Sequence, residues 1–140
     1  MRNVEEVPTE LLAVDDVVRT LPPGVREALT RDLFDVAAPD SNDALTDGER
    51  MTLSSAPVLE LVREGYRARF DVGTTEGRTP EAEQALEAWE DALKKAEALQ
   101  PILRPGDFLG FDNTLLMHKR GGFEPEPGNE RWLRRCYASR

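Results

Sequence analysis

Residues 80–100 admit one regular structure, and the rest of the chain has to be arranged around it. Thr79-Pro80-Glu81-Ala82-Glu83 has the order of a helix start: a side-chain cap, a proline in the first turn, and early acids where the helix dipole favours negative charge. Leu86, Trp89, Leu93, Ala96 and Leu99 follow at helical period as one apolar stripe, and the opposite face is charged. A stripe of this kind is core packing rather than a cofactor box. Pro101 closes the run.

Other elements flank this helix. Residues 9–21 read as a helix with Thr9 as N-cap and Leu11, Val14, Val17, Val18 and Leu21 on one face, ended by Pro22-Pro23-Gly24. A short helix is expected from Gly24 to Leu33, and a strand from Phe34 to Val36. Pro39 to Met51 is dense in Asn, Asp, Ser and Gly and reads as a long loop of the kind that covers a site. Ala56 to Leu61 is strand-like. Tyr66 to Val72 alternates apolar and polar, a strand with one buried face, and residues 73–77 break it. Strand pieces then cover Asp107 to Phe111, Thr114 to His118 and Trp132 to Ala138. Helices, strands, a long helix and more strands make an α+β chain with supporting helices on a mainly antiparallel sheet, organised as one domain over residues 1–140.

Bulk properties narrow the function. The 140 residues are 39% apolar, enough for a core, and no apolar run approaches the length that a bilayer requires. The N-terminus lacks the basic-then-apolar order of a signal peptide, and a single cysteine, Cys136, permits neither an internal disulfide nor a cysteine zinc cluster. The default location is the cytoplasm. A net charge of −9 argues against a general nucleic-acid binder. Residues 1–115 carry 12 basic and 24 acidic side chains, whereas residues 116–140 carry 6 basic and 3 acidic. A basic tail on an acidic body fits local binding of a small anion.

The chemistry concentrates at the C-terminal end. Pro105-Gly106-Asp107 is a tight turn that launches an apolar stretch in which Phe108, Leu109, Phe111, Leu115, Leu116 and Met117 are expected to be buried. Asp112-Asn113 interrupts it as a bend or bulge. The only histidine, His118, closes that stretch, and Glu130-Arg131-Trp132-Leu133-Arg134-Arg135 follows. One imidazole is more often structural than a ligand, and it cannot build a metal site alone. Ser54-Ser55 has no His/Asp partner in sequence beyond His118, Gly106 and Gly110 are not followed by a Gly-Lys-Ser/Thr phosphate signature, and the pair Asp15-Asp16 reads as solvated.

Taken in order, Pro105-Gly106-Asp107-Phe108, Asp112-Asn113, His118-Lys119-Arg120, Phe123, Gly128 and Arg131-Trp132-Leu133-Arg134-Arg135 resemble the C-terminal part of the clavaminate synthase-like group. That group lies within the taurine dioxygenase-like Fe(II)/2-oxoglutarate oxygenases. The resemblance is strongest over residues 105–137, and Val7-Pro8-Thr9-Glu10-Leu11 resembles the segment after the family's first metal-binding strand. It implies an incomplete double-stranded β-helix, or jelly roll, and a reaction that couples decarboxylation of 2-oxoglutarate to hydroxylation of an unactivated carbon.

The resemblance also implies roles. His118 stands where the distal histidine of a 2-His-1-carboxylate facial triad stands, a metal ligand for Fe(II). Arg131 would grip the distal carboxylate of 2-oxoglutarate with its planar fork. Thr9 would be a second 2-oxoglutarate contact. Arg135, an even number of strand residues from Arg131, would hold the carboxylate of a small-molecule substrate, an amino acid among them. No residue is assigned as catalytic. The sequence departs from the family in one decisive respect: the His-x-Asp/Glu ligand pair belongs upstream of the region matching Thr9, and there is no second histidine. Iron and 2-oxoglutarate chemistry is therefore expected only if the N-terminal oxygenase portion, on another chain or missing from this sequence, supplies those donors; a homo-oligomer is the other partner expected. The alternative is a degenerate, non-catalytic binding or assembly module.

Overall fold

The structure is a computed structural model, and it describes residues 7–37 and 52–120, excluding the side chain of Arg120. In chain order the elements are β1 (Thr9–Ala13), α1 (Val14–Thr20), α2 (Pro23–Leu29), β2 (Phe34–Ala37), β3 (Thr52–Ala56), β4 (Leu59–Val62), β5 (Gly65–Ala68), β6 (Thr75–Gly77), α3 (Pro80–Lys95) and β7 (Leu116–Arg120). Three antiparallel ladders form: β1 with β7, β3-β2-β6, and the hairpin β4–β5. Backbone bonds tie the β4–β5 hairpin and β1 to the segment leading into β7. Ala68 N–H donates to the Thr114 carbonyl at 3.0 Å, and Val14 N–H to Leu115 at 3.0 Å. The result is an α+β fold with an open multi-strand sheet flanked by helices, consistent with an incomplete double-stranded β-helix.

The long helix forms for the reasons visible in its sequence. Thr79 is extended, and its hydroxyl accepts the Ala82 N–H at 3.1 Å; Glu81 and Glu83 lie in the first turn, and Lys94 and Lys95 in the last. Ala82, Ala85, Leu86 and Trp89 are the face it buries. They meet Val14, Val17 and Val18 of α1, Ala28 and Leu29 of α2, and Phe34, Val58 and Leu59 in one apolar cluster. Each large side chain fully withdrawn there contributes about 2 kcal/mol against the cost of ordering the chain.

Several expectations are corrected. The helix proposed over 9–21 is a strand followed by a helix that begins at Val14, so Thr9 caps nothing. The physical reason is that β1 is paired on both sides. β7 takes one edge. On the other, Leu11 N–H donates to Leu99 (2.8 Å), Leu99 N–H to Leu11 (2.9 Å) and Thr9 N–H to Pro101 (3.1 Å). Non-local bonding on both edges outweighs the helical spacing of Leu11 with Val14 and Val18. The same pairing shortens α3: its last helical residue is Lys95, and Leu99, expected on the buried stripe, is 74% exposed in the segment that bonds β1.

Shorter revisions have local causes. Residues 107–111 are not a strand, and Phe108 is 92% exposed rather than buried. The Pro105-Gly106 turn itself is present: Asp107 N–H donates to the Arg104 carbonyl at 3.0 Å, Arg104 N–H donates to the Asp107 carboxylate at 2.7 Å, and Gly106 has φ +97°. Proline followed by a left-handed glycine is the pattern of a type II turn. The strand expected at Ala56 to Leu61 divides into the end of β3 and the start of β4, and that expected at 66–72 is confined to β5. Residues 75–77, expected to break structure, form β6 on β2. The loop 39–51 and the strand 132–138 lie outside the described residues.

Candidate functional site on the β1–β7 ladder

The ladder register decides which side chains share a face. Thr9 faces Arg120, Leu11 faces His118, and Leu12 faces Met117. Directly opposed residues of an antiparallel pair point to the same side, and successive residues alternate. Leu12 and Met117 pack against the apolar cluster, so their face is the core face. Thr9, Leu11 and His118 therefore stand on the other face, turned away from that core. Thr9 is nonetheless 5% exposed and Leu11 is buried, while His118 is half-buried. The face turned away from that cluster thus carries a buried threonine and, diagonally across the ladder, a half-buried imidazole.

The imidazole has defined neighbours. The backbone of Leu11 is bonded to Leu99, so Leu11 and His118 form the non-hydrogen-bonded kind of pair, in which side chains approach most closely. Phe111 lies on the imidazole with ring centroids 5.5 Å apart and planes tilted by 54°. The turn that brings it there is held by Asp112. The carboxylate oxygen Oδ1 accepts the Thr114 N–H at 2.9 Å and the Thr114 hydroxyl at 2.7 Å, and the Asp112 carbonyl accepts the Leu116 N–H at 3.0 Å. Sequence reasoning read Asp112-Asn113 as a bend but did not connect Phe111 with His118. The Asp-x-Thr spacing, an Asx turn with a second hydroxyl bond, was the available signal.

A shallow cleft of about 170 Å³ opens between the β4–β5 hairpin and this turn, lined by Val62, Glu64, Arg67, Asp112, Thr114 and Leu115. Its guanidinium is already engaged: Arg67 donates through Nε (3.0 Å) and Nη2 (2.6 Å) to Oε2 of Glu60. Asp15 is another revision. Asp16 is exposed beside Arg19, but Asp15 is half-buried, and its Oδ1 accepts the Tyr66 N–H at 2.7 Å. It ties α1 to the hairpin rather than facing solvent.

The structure thus brings together two of the four sequence-predicted site residues, Thr9 and His118. Arg131 and Arg135 lie outside the described residues. Among the described residues no three His, Cys, Asp or Glu side chains gather as a metal-binding group. Those residues offer iron one imidazole, so they do not by themselves fit the metal centre that the resemblance implies. Among them, too, no helix is long and apolar enough to cross a membrane.

Solved structures share this architecture and define its class, a non-haem iron oxygenase fold. The non-heme iron oxygenase OrfP in complex with Fe and alpha-ketoglutaric acid superposes with a TM-score of 0.70 at 22% identity, over 91% of this chain and 38% of its own. Asparagine oxygenase in complex with Fe(II), 2S,3S-3-hydroxyasparagine and succinate gives 0.70 at 25% identity, over 88% and 37%. OrfP with Fe and L-canavanine gives 0.70 at 23%, over 91% and 41%. The model of the taurine catabolism dioxygenase TauD, TfdA family matches residues 9–137, and the chain belongs to that family. No curated protein matches the sequence. The chain spans about two fifths of the length of the solved structures it resembles.

Proposed function

We propose that this chain is the C-terminal part of a non-haem Fe(II)/2-oxoglutarate-dependent oxygenase of the clavaminate synthase-like group, acting on an amino acid or a related small molecule. His118 is its one metal ligand. Arg131 and Thr9 hold 2-oxoglutarate, and Arg135 holds the substrate carboxylate. A second imidazole and a carboxylate would have to come from outside these 140 residues, in which His118 is the only histidine. The observation that carries the reading is the register that sets Thr9 and His118 on one face of the β1–β7 ladder, away from the core. Family membership supports it, as do solved relatives, one holding Fe with alpha-ketoglutaric acid and another holding Fe(II) with succinate and 3-hydroxyasparagine.

Bound iron would supply oxidising power. This chain's share is placement: an imidazole on a strand, a hydroxyl beside it, and guanidiniums for anions. Thermal unfolding with and without 2-oxoglutarate tests the anion role. Stabilisation is expected in the wild type and is lost in Arg131→Ala; an equal response in both overturns the assignment. Fe(II) titrated into this chain alone tests the sharing of ligands. Weak binding is expected, and tight one-to-one binding overturns the need for ligands from outside these residues.

The absence of a three-ligand group among the described residues favours a second reading, a non-catalytic module that has kept the fold. That reading expects no response to 2-oxoglutarate.

A further inference from the structure

We propose that Phe111 fixes the side-chain rotamer of His118 and so acts as a positioning residue for the imidazole; its bearing on metal binding rests on the ligand role proposed above for His118. A histidine on a strand has several staggered χ1 wells open to it, and a ligand that must point one way loses affinity for each alternative it samples. Two neighbours narrow the choice here. Leu11 is the direct cross-strand partner in a close, non-hydrogen-bonded pair. Phe111 lies with its ring centroid 5.5 Å from that of the imidazole. An aromatic ring suits the task because it is flat and stiff, with two torsions to fix. The Asp112 turn anchors it, through the bonds to Thr114 at 2.9 and 2.7 Å and to Leu116 at 3.0 Å. Phe111 is absent from the apolar cluster and from the partly buried side chains packed on it, so core packing does not explain its place.

The test uses the full 140-residue chain, in which His118 is the only histidine and its imidazole signals stand alone. The χ1 couplings of His118 are measured by NMR in the wild type, Phe111→Leu and Phe111→Tyr. One rotamer is expected in the wild type and in Phe111→Tyr, and averaged couplings in Phe111→Leu. Asp112→Ala, which releases the turn without altering either ring, is expected to average them too and serves if Phe111→Leu does not fold. An unchanged single rotamer in Phe111→Leu, or in Asp112→Ala where that variant serves, overturns the proposal.

Co(II) titration supplies the functional arm. The concentration that half-saturates the shift of the imidazole signals is expected to rise about threefold to tenfold in Phe111→Leu and to return in Phe111→Tyr. Equal half-saturation in Phe111→Leu and wild type overturns the claim that positioning matters for metal. Cobalt that leaves the wild-type imidazole signals unmoved overturns instead the ligand role of His118, and the couplings then decide the Phe111 claim on their own.

Discussion

Thr9 and His118 lie on one face of a two-stranded ladder, two residues apart in register, although they are 109 positions apart in sequence. Thr9 pairs with Arg120 and His118 with Leu11, so the hydroxyl and the imidazole are diagonal neighbours across β1 and β7. The strand position of Thr9 distinguishes two uses of its hydroxyl. A helix cap tolerates asparagine as well as threonine, whereas a buried strand position does not. Thr9→Asn is expected to lower the urea midpoint, and a neutral result would restore the capping view. Thr9→Val keeps the branched shape and removes the hydroxyl. Its expected cost is about 1 kcal/mol of stability together with a smaller 2-oxoglutarate-induced rise in Tm. A full ligand response in Thr9→Val would leave Thr9 a structural residue.

Asp15 joins α1 to the β4–β5 hairpin through the Tyr66 N–H at 2.7 Å. Asp15→Ala strands that donor in a half-buried place and is expected to cost about 1–3 kcal/mol by urea unfolding. Asp15→Asn retains a carbonyl acceptor and should cost clearly less. Equal losses in the two variants would show that the charge, rather than the hydrogen bond, is what matters.

Gly77 ends β6 where it meets the first turn of α3. A Cβ at this position would lie 2.6 Å from Glu83 N and 2.9 Å from the Ala82 carbonyl carbon, both backbone atoms that cannot rotate aside. Gly77→Ala is expected to destabilise by about 1–3 kcal/mol, as overpacking does. Gly24→Ala, in α2 with nothing within 4 Å, is the control and should be neutral or stabilising by up to about 1 kcal/mol.

Trp89 is fully buried, meets Phe70 edge-on with centroids 6.2 Å apart, and among the described residues its Nε1–H has no hydrogen-bond partner. Trp89→Ala is expected to cost about 3–5 kcal/mol, a large share of the stability of a domain this size. Trp89→Phe also removes the orphaned donor, so its cost should stay below about 1.5 kcal/mol. A Phe variant as unstable as the Ala variant would mean that the indole nitrogen is satisfied in solution.

The legible parts of the fold were local. Thr79 caps α3 as its sequence indicates, Trp89 and Leu86 face the core, and Pro105-Gly106 turns as proline before glycine should. Each depends on atoms within a few residues of one another. Residues 9–13 misled because Leu11, Val14 and Val18 have helical spacing, while the bonds that make β1 a strand come from residues 99–101 and 116–120. Leu99 misled for the same reason, continuing a helical stripe past the point where pairing with Leu11 draws the chain out of the helix. Of the site, His118 was legible as the only imidazole closing an apolar run; its neighbours Leu11 and Phe111 were not.

Composition and order alone settled that one imidazole is available, that a capped amphipathic helix precedes it, and that basic charge gathers at the C-terminal end. Tertiary structure decided which side of the sheet that imidazole occupies and what stands beside it. A strand shows two faces to any reader of its sequence, and only pairing with a distant strand, in one register, makes one of them the core and leaves the other for chemistry.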